Sequence, residues 1–460
     1  MAAGRTNWPV AITAPRLLVV SFAGAIAVGA CLLFAARSWS DGTAPRAFVD
    51  ALFTAASAIC VTGLTVRDIG SEFTFFGQAI ILVLIQIGGI GILTFSNFML
   101  YLQTGRMTPQ QRQLVQESLG ALPSISAPQL LVRVIAYALA IESLGAAALT
   151  ARFMEDHPFP QALWLGTFHA VSAFCNAGLC LFADNVQQYR SDPVVNVVLM
   201  TLIVLGGLGF LVLTDVGAWA GAAYRGVRRR LLYHTRVVAG TTVLLILLGA
   251  AAILLLESSG IASPGPLGQR AMDSMFLSIT SRTAGFNTVA TGHLTNGTLF
   301  VVILLMAVGG SPGSTAGGIK TTTLATMFAL LSSRLRNRAK VELLKRTIPE
   351  ETVTKAMITL TAFLLAAAAA TTVLQITELA GAEHYLHRGK FLEYLFEVVS
   401  ALCTVGLSTG VTPQLTVVGK VVIIACMFIG RLGPLMIATS LIGARRGAEI
   451  SYPEDNLNIG

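Results

Sequence analysis

Four segments of this chain end in a glycine followed by a bulky apolar residue: SAICVTG from Ser57 to Gly63, SAFCNAG from Ser172 to Gly178, ITSRTAG from Ile279 to Gly285, and SALCTVG from Ser400 to Gly406. None carries a net negative charge. From glycine to glycine the gaps are about 115, 107 and 121 residues, so one unit of roughly a quarter of the chain recurs four times. Such a pattern suits a ring of backbone carbonyls, whose dipoles replace the hydration shell of a dehydrated potassium ion. The carbonyl sources expected here are Val61, Thr62 and Gly63, then Asn176, Ala177 and Gly178, then Thr283, Ala284 and Gly285, and last Thr404, Val405 and Gly406. Glycine suits the ring because it takes positive φ without penalty and leaves the lumen open. Thr404-Val405-Gly406 matches the first three letters of the TVGYG potassium filter. The other copies keep only the glycine, which predicts a less regular filter.

Elements that hold such loops must lie in a membrane. With 54% hydrophobic and 12% charged residues in 460, and a mean hydropathy of +0.72, the chain is an integral membrane protein. Apolar runs long enough to cross a core of about 30 Å start near Leu17, Gly77, Gln129, Val194, Val237, Thr298, Thr352 and Thr416. Between the members of each pair a shorter apolar piece leads into a glycine segment, starting near Ala47, Gln161, Gly268 and Lys390. The expected fold is therefore all-α, with eight spans in four tandem units of helix, pore helix, loop and helix, near 10–105, 125–220, 235–335 and 350–445. Irregular backbone at membrane depth survives only where it lines a wet cavity or is buried in protein, so the loops should face one central pore. The pore helices would aim their negative C-terminal ends at the ion path.

Charge orients the chain. Lys and Arg concentrate in Arg225 to Arg236 and Arg334 to Lys355, which places both termini in the cytoplasm. Asp68, Glu72, Glu155, Asp156, Asp184 and Glu383 then fall outside, where they would concentrate cations. The net charge of +8 follows from this bias, and no basic face is interleaved with aromatics, so nucleic acid is not an expected partner. Leu17 to Phe34, after Arg5 and Arg16, has the look of a signal peptide, but its cleavage would strip the outer helix from one of four equivalent units. Six cysteines stand at positions 31, 60, 175, 180, 403 and 426. Cys60, Cys175 and Cys403 precede their glycines by three residues and invite a metal reading. The third unit has Arg282 there, which points to packing instead.

One helix must open. Between Thr298 and Leu331 an apolar run is cut at Gly309, Gly310, Ser311, Pro312, Gly313, Ser314, Thr315, Ala316, Gly317 and Gly318. Glycine costs about 1 kcal/mol and proline about 3 kcal/mol in a helix interior. The alternatives are a kink repaired by neighbours or a polar loop lining a cavity, and the length favours the loop. Lys320 closes this loop, and Arg431 interrupts the last apolar run. A buried Arg costs at least about 2.5 kcal/mol unless paired or solvated, so Arg431 should face the cavity or tie helices through carbonyls. Arg282 reads as a clamp on carbonyls or on an acid such as Glu397. Glu142 and Asp215 read as helix-packing or interfacial groups.

These residues resemble the Trk/Ktr/HKT superfamily of potassium transporters. TSRTAGFNT from Thr280 to Thr288 and GGSPGSTAGGIKTTT from Gly309 to Thr323 are close to that family's patterns, and the similarity covers essentially the whole chain. The first unit's start by Arg16 and the ending from Tyr452 to Gly460 look like the eight-span, KtrB-type subunits. The resemblance implies that the loop from Gly309 to Gly318 obstructs the pore below the filter, and that Arg431 sets an electrostatic barrier beside it. It also implies a homodimer in a bacterial cell membrane and a cytosolic ring of nucleotide-binding subunits that opens the gate. Potassium would be the transported ion, with Na+ a candidate activator or co-ion and no cofactor in this chain. In plant relatives, serine at the first filter glycine accompanies sodium preference, so Gly63 favours potassium. Arg225 to Arg236 and Arg334 to Arg346 are candidate docking surfaces or plain solvated loops. An ion-coupled symporter would usually show inverted halves. An intramembrane enzyme finds no HExxH or GxxxxGK[ST] pattern to support it.

Overall fold

The computed structural model describes residues 14–35, 38–40, 47–91, 127–258, 265–379, 387 and 389–433. Among them the fold is helical almost throughout. Its one sheet is a two-stranded ribbon pairing Glu342–Leu343 with Arg346–Thr347.

Three kinds of helix alternate. Long helices run over Ala14–Phe34, Ala127–Phe153, Tyr233–Leu256 and Glu350–Glu378. Short helices follow over Phe48–Ile59, Phe159–Phe174, Leu267–Thr280 and Lys390–Leu402, and each ends at the start of a filter segment. A third set spans Phe75–Ile90, Pro193–Leu208, Asn296–Ala307 and Val417–Leu432. Every member of the third set starts at a side-chain cap: Thr74, Asp192, Thr295 and Thr416 accept from backbone N–H groups one turn on. Each cap stabilises its helix by about 1 kcal/mol.

Packing closes a circle. Phe75–Ile90 packs on Phe159–Phe174, Pro193–Leu208 on Leu267–Thr280, Asn296–Ala307 on Lys390–Leu402, and Val417–Leu432 back on Phe48–Ile59. The short helices bury nearly all their inward residues, including Phe53, Phe168, Phe174, Phe276 and Phe396. In three of the long helices, Val132–Phe153, Tyr233–Leu256 and Glu350–Glu378, only 22 to 33% of the most apolar stretch is buried, so most of their apolar surface faces outward. That is the side a bilayer would cover.

The sequence led to eight full spans; the helices are less uniform. Three described helices are long and apolar enough to cross, Val132–Phe153, Tyr233–Leu256 and Glu350–Glu378, and the pair Pro193–Leu208 and Phe210–Tyr224, bent by 104°, makes up to four. The third set falls short because its helices stop early. Three of them end at glycines with positive φ, Gly91 at 91°, Gly209 at 88° and Gly433 at 85°, and Asn296–Ala307 ends at Val308. An interruption was expected only in the third unit. The continuations beyond Gly91 and Gly433 lie outside the described residues, as do Arg5, Glu383 and the Tyr452 to Gly460 ending.

Candidate functional site

The four glycine segments meet. Gly63, Gly178, Gly285 and Gly406 line one cavity of about 250 Å³ together with Thr65, Asp68, Cys180, Asp184, Asn287 and Ser408. A Cβ on Gly63 would come within 2.5 Å of the Ala177 carbonyl oxygen, one on Gly178 within 2.5 Å of the Ala284 oxygen, and one on Gly285 within 2.6 Å of the Val405 oxygen. One on Gly406 would overlap the Thr62 oxygen. Each glycine thus abuts the carbonyl preceding the next glycine, and the fourth returns to the first.

The backbone that makes this ring is the same four times. Gly63, Gly178, Gly285 and Gly406 have φ of 96°, 68°, 78° and 92°, and two residues earlier Val61, Asn176, Thr283 and Thr404 have 55°, 58°, 72° and 52°. Left-handed backbone costs an L-residue about 1–2 kcal/mol, more for the β-branched three. Strain of this kind persists only where surrounding structure over-determines it. Here the intervening residue is tied back to its short helix: Thr62 N donates to Ser57 O at 2.8 Å, Ala177 N to Ser172 O at 2.7 Å, Ala284 N to Thr280 O at 2.9 Å, and Val405 N to Ser400 O at 2.8 Å. Ser57 and Ser400 hydroxyls also accept from Gly63 N and Gly406 N. The buried Thr62 and Thr404 hydroxyls find no partner among the described residues.

Behind the ring the four corners differ. Nine residues before the glycines stand Thr54, His169, Phe276 and Glu397. Glu397, fully buried, accepts from Ser408, from Thr409 N at 3.3 Å and from Thr412 at 2.8 Å, which pins the segment leaving the fourth glycine. His169 does the same in the second unit, facing Cys180 and Leu181 N. Glu397 is therefore not the partner of Arg282. Arg282 instead donates to Gly309 O at 3.2 Å and Thr242 O at 3.5 Å, because its place at the end of the third short helix faces the broken helix and not the fourth unit. Glu142 accepts from Gln86 at 3.1 Å and from Cys175. Asp215 gathers Leu232 N, Thr235 and Arg229 at the cationic end. Cys60, Cys175 and Cys403 are buried at the ends of three short helices, and among the described residues no three metal-ligating side chains come together.

Below the ring the chain is open from Val308 to Lys320, between helices Asn296–Ala307 and Thr321–Leu335. The two ends of this loop bridge at Val308 and Ile319, with Gly309 N donating to Ile319 O at 2.9 Å. Its middle rests on the second unit: Ser311 N donates to Gly207 O, Thr315 N to Gly206 O, Phe210 N to Gly313 O and the Thr315 hydroxyl to Phe174 O. The bend at Gly209 receives Ser311, whose hydroxyl bonds Leu208 O; a Cβ on Gly209 would lie 2.6 Å from that hydroxyl oxygen. Gly317 packs beneath Thr404, leaving no room for a Cβ, and one on Gly309 would come within 3.1 Å of the Thr283 methyl. Lys320 Nζ donates to Ala316 O at 2.7 Å. Arg431 donates to both Thr315 O and Gly88 O, joining the fourth helix to the loop and to the first unit. Gly309 to Gly313 also spells GxSxG, the letters of a hydrolase nucleophile turn. Ser311 sits in a loop between helices, donating to carbonyls, with no histidine among its hydrogen-bond partners, so the geometry of that motif is missing.

Sequence reasoning overlooked two features. The positive φ at Val61, Thr283 and Thr404 has no residue-type signal, since β-branched residues disfavour it, whereas Asn176 is of a type enriched there. Asp50 on the first short helix, buried and paired with Arg67 at 2.8 Å and Lys420 at 2.8 Å, was findable as an acid in an apolar run like Glu142.

Comparison with known proteins agrees with this architecture. The family model described as TrkH, cation transport protein, matches residues 7–445. The chain is 37% identical over 458 residues to the Ktr system potassium uptake protein B of Bacillus subtilis (strain 168), covering 98% of each chain. It is 36% identical to the protein of the same name from Vibrio alginolyticus, covering 97% of this chain and 95% of that one. The crystal structure of the potassium transporter TrkH from Vibrio parahaemolyticus superposes with a TM-score of 0.71 at 19% identity, over 95% of this chain and 86% of that one. The family model over residues 7–445 and the relatives matched along nearly the full length place the chain in the TrkH family of cation transport proteins.

Proposed function

We propose that this chain is the ion-translocating membrane subunit of a potassium uptake system of the Ktr/Trk type. The observation that carries the reading is the closed circle in which each filter glycine abuts the carbonyl before the next. Alternating left-handed residues turn successive carbonyls toward a common axis, where their dipoles stand in for the hydration shell of K+. Four short helices ending at the ring add partial negative charge there. The four units near 10–105, 125–220, 235–335 and 350–445 surround one pore with eight spans, and both termini are cytoplasmic.

The loop from Gly309 to Gly318 acts as the gate, with Lys320 and Arg431 as its latches. Arg431 holds Thr315 O and Gly88 O, and its charge below the ring opposes cation passage. At about 6 Å and an effective dielectric near 20, the repulsion is roughly 2 to 3 kcal/mol. The subunit works as a homodimer under a cytosolic nucleotide-binding ring that moves the gate, since the chain has no nucleotide fingerprint of its own. Na+ serves as activator or co-ion.

Rubidium uptake into proteoliposomes, with and without excess sodium outside, tests the reading. Rubidium uptake that resists sodium competition is expected. Equal competition by the two ions contradicts potassium selectivity, and no cation flux from correctly inserted protein contradicts translocation.

A further inference from the structure

The second unit holds a cavity that neither the ring nor the loop below it uses. It measures about 820 Å³ and lies between helices Ala127–Phe153 and Phe210–Tyr224, with the start of the basic loop after Tyr224 as its third wall. Arg133, Arg225 and Arg229 line it, and among the described residues no carboxylate does. Asp215, 3% exposed, ties the loop back by accepting from Leu232 N at 2.9 Å and from Arg229 at 3.3 Å, which engages one of the three charges. Among the described residues no acid lies within ion-pair distance of Arg133 or Arg225. The rest of the lining is apolar and small. Ala136 and Ala140 follow Arg133 at helical spacing, and glycines and alanines face them from Phe210–Tyr224. Arg133 opens the apolar span Val132–Phe153, whose far end at Arg152 bonds Asp192 in the segment leaving Gly178. The arginines therefore sit where the apolar layer meets water, on the face away from the ring's cavity, and the small residues lead from them into the layer. Val132, Leu139, Val216 and Trp219 stand exposed on the same two helices.

We propose that this cavity binds one anionic glycerophospholipid of the phosphatidylglycerol class, with its phosphate between Arg133 and Arg225 and an acyl chain along Ala136 and Ala140. Guanidinium forks match phosphate oxygens in charge and geometry, and basic pockets between spanning helices suit lipid head groups at this depth. A free phosphate would use the arginines and leave the apolar groove empty. A zwitterionic lipid would bring a fixed cation to walls that are already positive. Only an amphiphile with net negative charge answers both ends of the cavity. The site needs no assumption about the ion path.

The test uses full-length protein in neutral detergent, with dioleoylphosphatidylglycerol as the probe and dioleoylphosphatidylcholine as its zwitterionic counterpart. Bound lipid is counted by native mass spectrometry, and the melting temperature is followed as lipid is added. Wild type is expected to retain one more phosphatidylglycerol per chain than Arg133→Gln/Arg225→Gln, whose binding should be at least about tenfold weaker, a change of about 1.4 kcal/mol. Phosphatidylglycerol should also raise the melting temperature of wild type more than phosphatidylcholine does, since a ligand of the folded state stabilises it. The deciding variant is Gly221→Leu. Gly221 lines the cavity, and a Cβ there meets nothing within 4 Å, so the new side chain fills the groove while all three arginines remain. It should lose the same lipid. Wild-type retention by Gly221→Leu, with loss only in the arginine variant, would mean attraction by surface charge alone and overturns the site, as does equal retention in all three proteins. Inorganic phosphate that stabilises wild type as much as phosphatidylglycerol overturns the lipid assignment in favour of a free anion.

Discussion

The upper and lower faces of the ring are built on opposite plans. Above, four segments from distant parts of the chain share one backbone conformation, down to left-handed residues at the same two positions. Below, a single unit supplies the loop from Gly309 to Gly318, and the other three supply only its contacts: Gly88 O through Arg431, Gly206 and Gly207, and Thr404. Coordination of an ion on an axis demands equivalence, because each corner contributes the same dipole. Obstruction demands only one segment, free to move while the others stay put. On the function proposed above, a fixed selective part and a movable part share one short stretch of pore.

The largest expected effect breaks the equivalence above. Gly63→Ser, Gly178→Ser, Gly285→Ser and Gly406→Ser each force a Cβ against the neighbouring carbonyl and onto left-handed backbone. Each should lower potassium affinity or potassium-over-sodium preference by about tenfold or more, equivalent to at least about 1.4 kcal/mol, in rubidium uptake with sodium competition. Effects confined to one corner would show that the four are not one ring.

Next comes the proposed gate. Deletion of Gly310 to Gly317 should raise flux several-fold and weaken dependence on any cytosolic partner, read as uptake per inserted protein. Lower flux would mean that the loop props the pore open. Arg431→Gln should act in the same direction while lowering the melting temperature, since two carbonyls of separate units lose their shared donor. Arg431→Lys keeps the charge but not the planar fork. Its flux separates barrier from latch: near wild type if charge dominates, near Gln if the two bonds do.

A smaller effect is expected at Asp50, which joins the first short helix to Lys420 of the fourth unit and to Arg67. Asp50→Ala leaves Lys420 without its acid and Arg67 with Glu72 alone, and should destabilise by about 1–3 kcal/mol, measured by thermal unfolding in detergent. The smallest belongs to a glycine outside both faces. A Cβ on Gly240, within helix Tyr233–Leu256, meets nothing within 4 Å, so Gly240→Ala should be neutral or stabilising by up to about 1 kcal/mol.

The sequence revealed the ring and the broken helix because both depend on glycine, whose spacing is visible in the chain. It placed the start of every helix in the third set to within a few residues, since Thr74, Asp192, Thr295 and Thr416 cap where apolar runs begin. Helix ends were harder. Gly91 and Gly209 lie in runs as apolar as those of continuous helices, and at Gly209 the break is matched by Ser311 entering the bend; Gly433, followed by Pro434, does carry a helix-stop signal. Partners of buried charges were equally hidden, because Arg282 reaches Gly309 O within its own unit and Arg431 reaches Gly88 O in another, contacts that no spacing encodes.

Anomalous diffraction from crystals of the full-length protein grown with rubidium tests the central claim most directly. Density on the axis between the carbonyls of residues 61–63, 176–178, 283–285 and 404–406, retained when sodium is added in excess and weakened in Gly178→Ser, is the expected result. Rubidium bound elsewhere, with none among these carbonyls, would contradict the account.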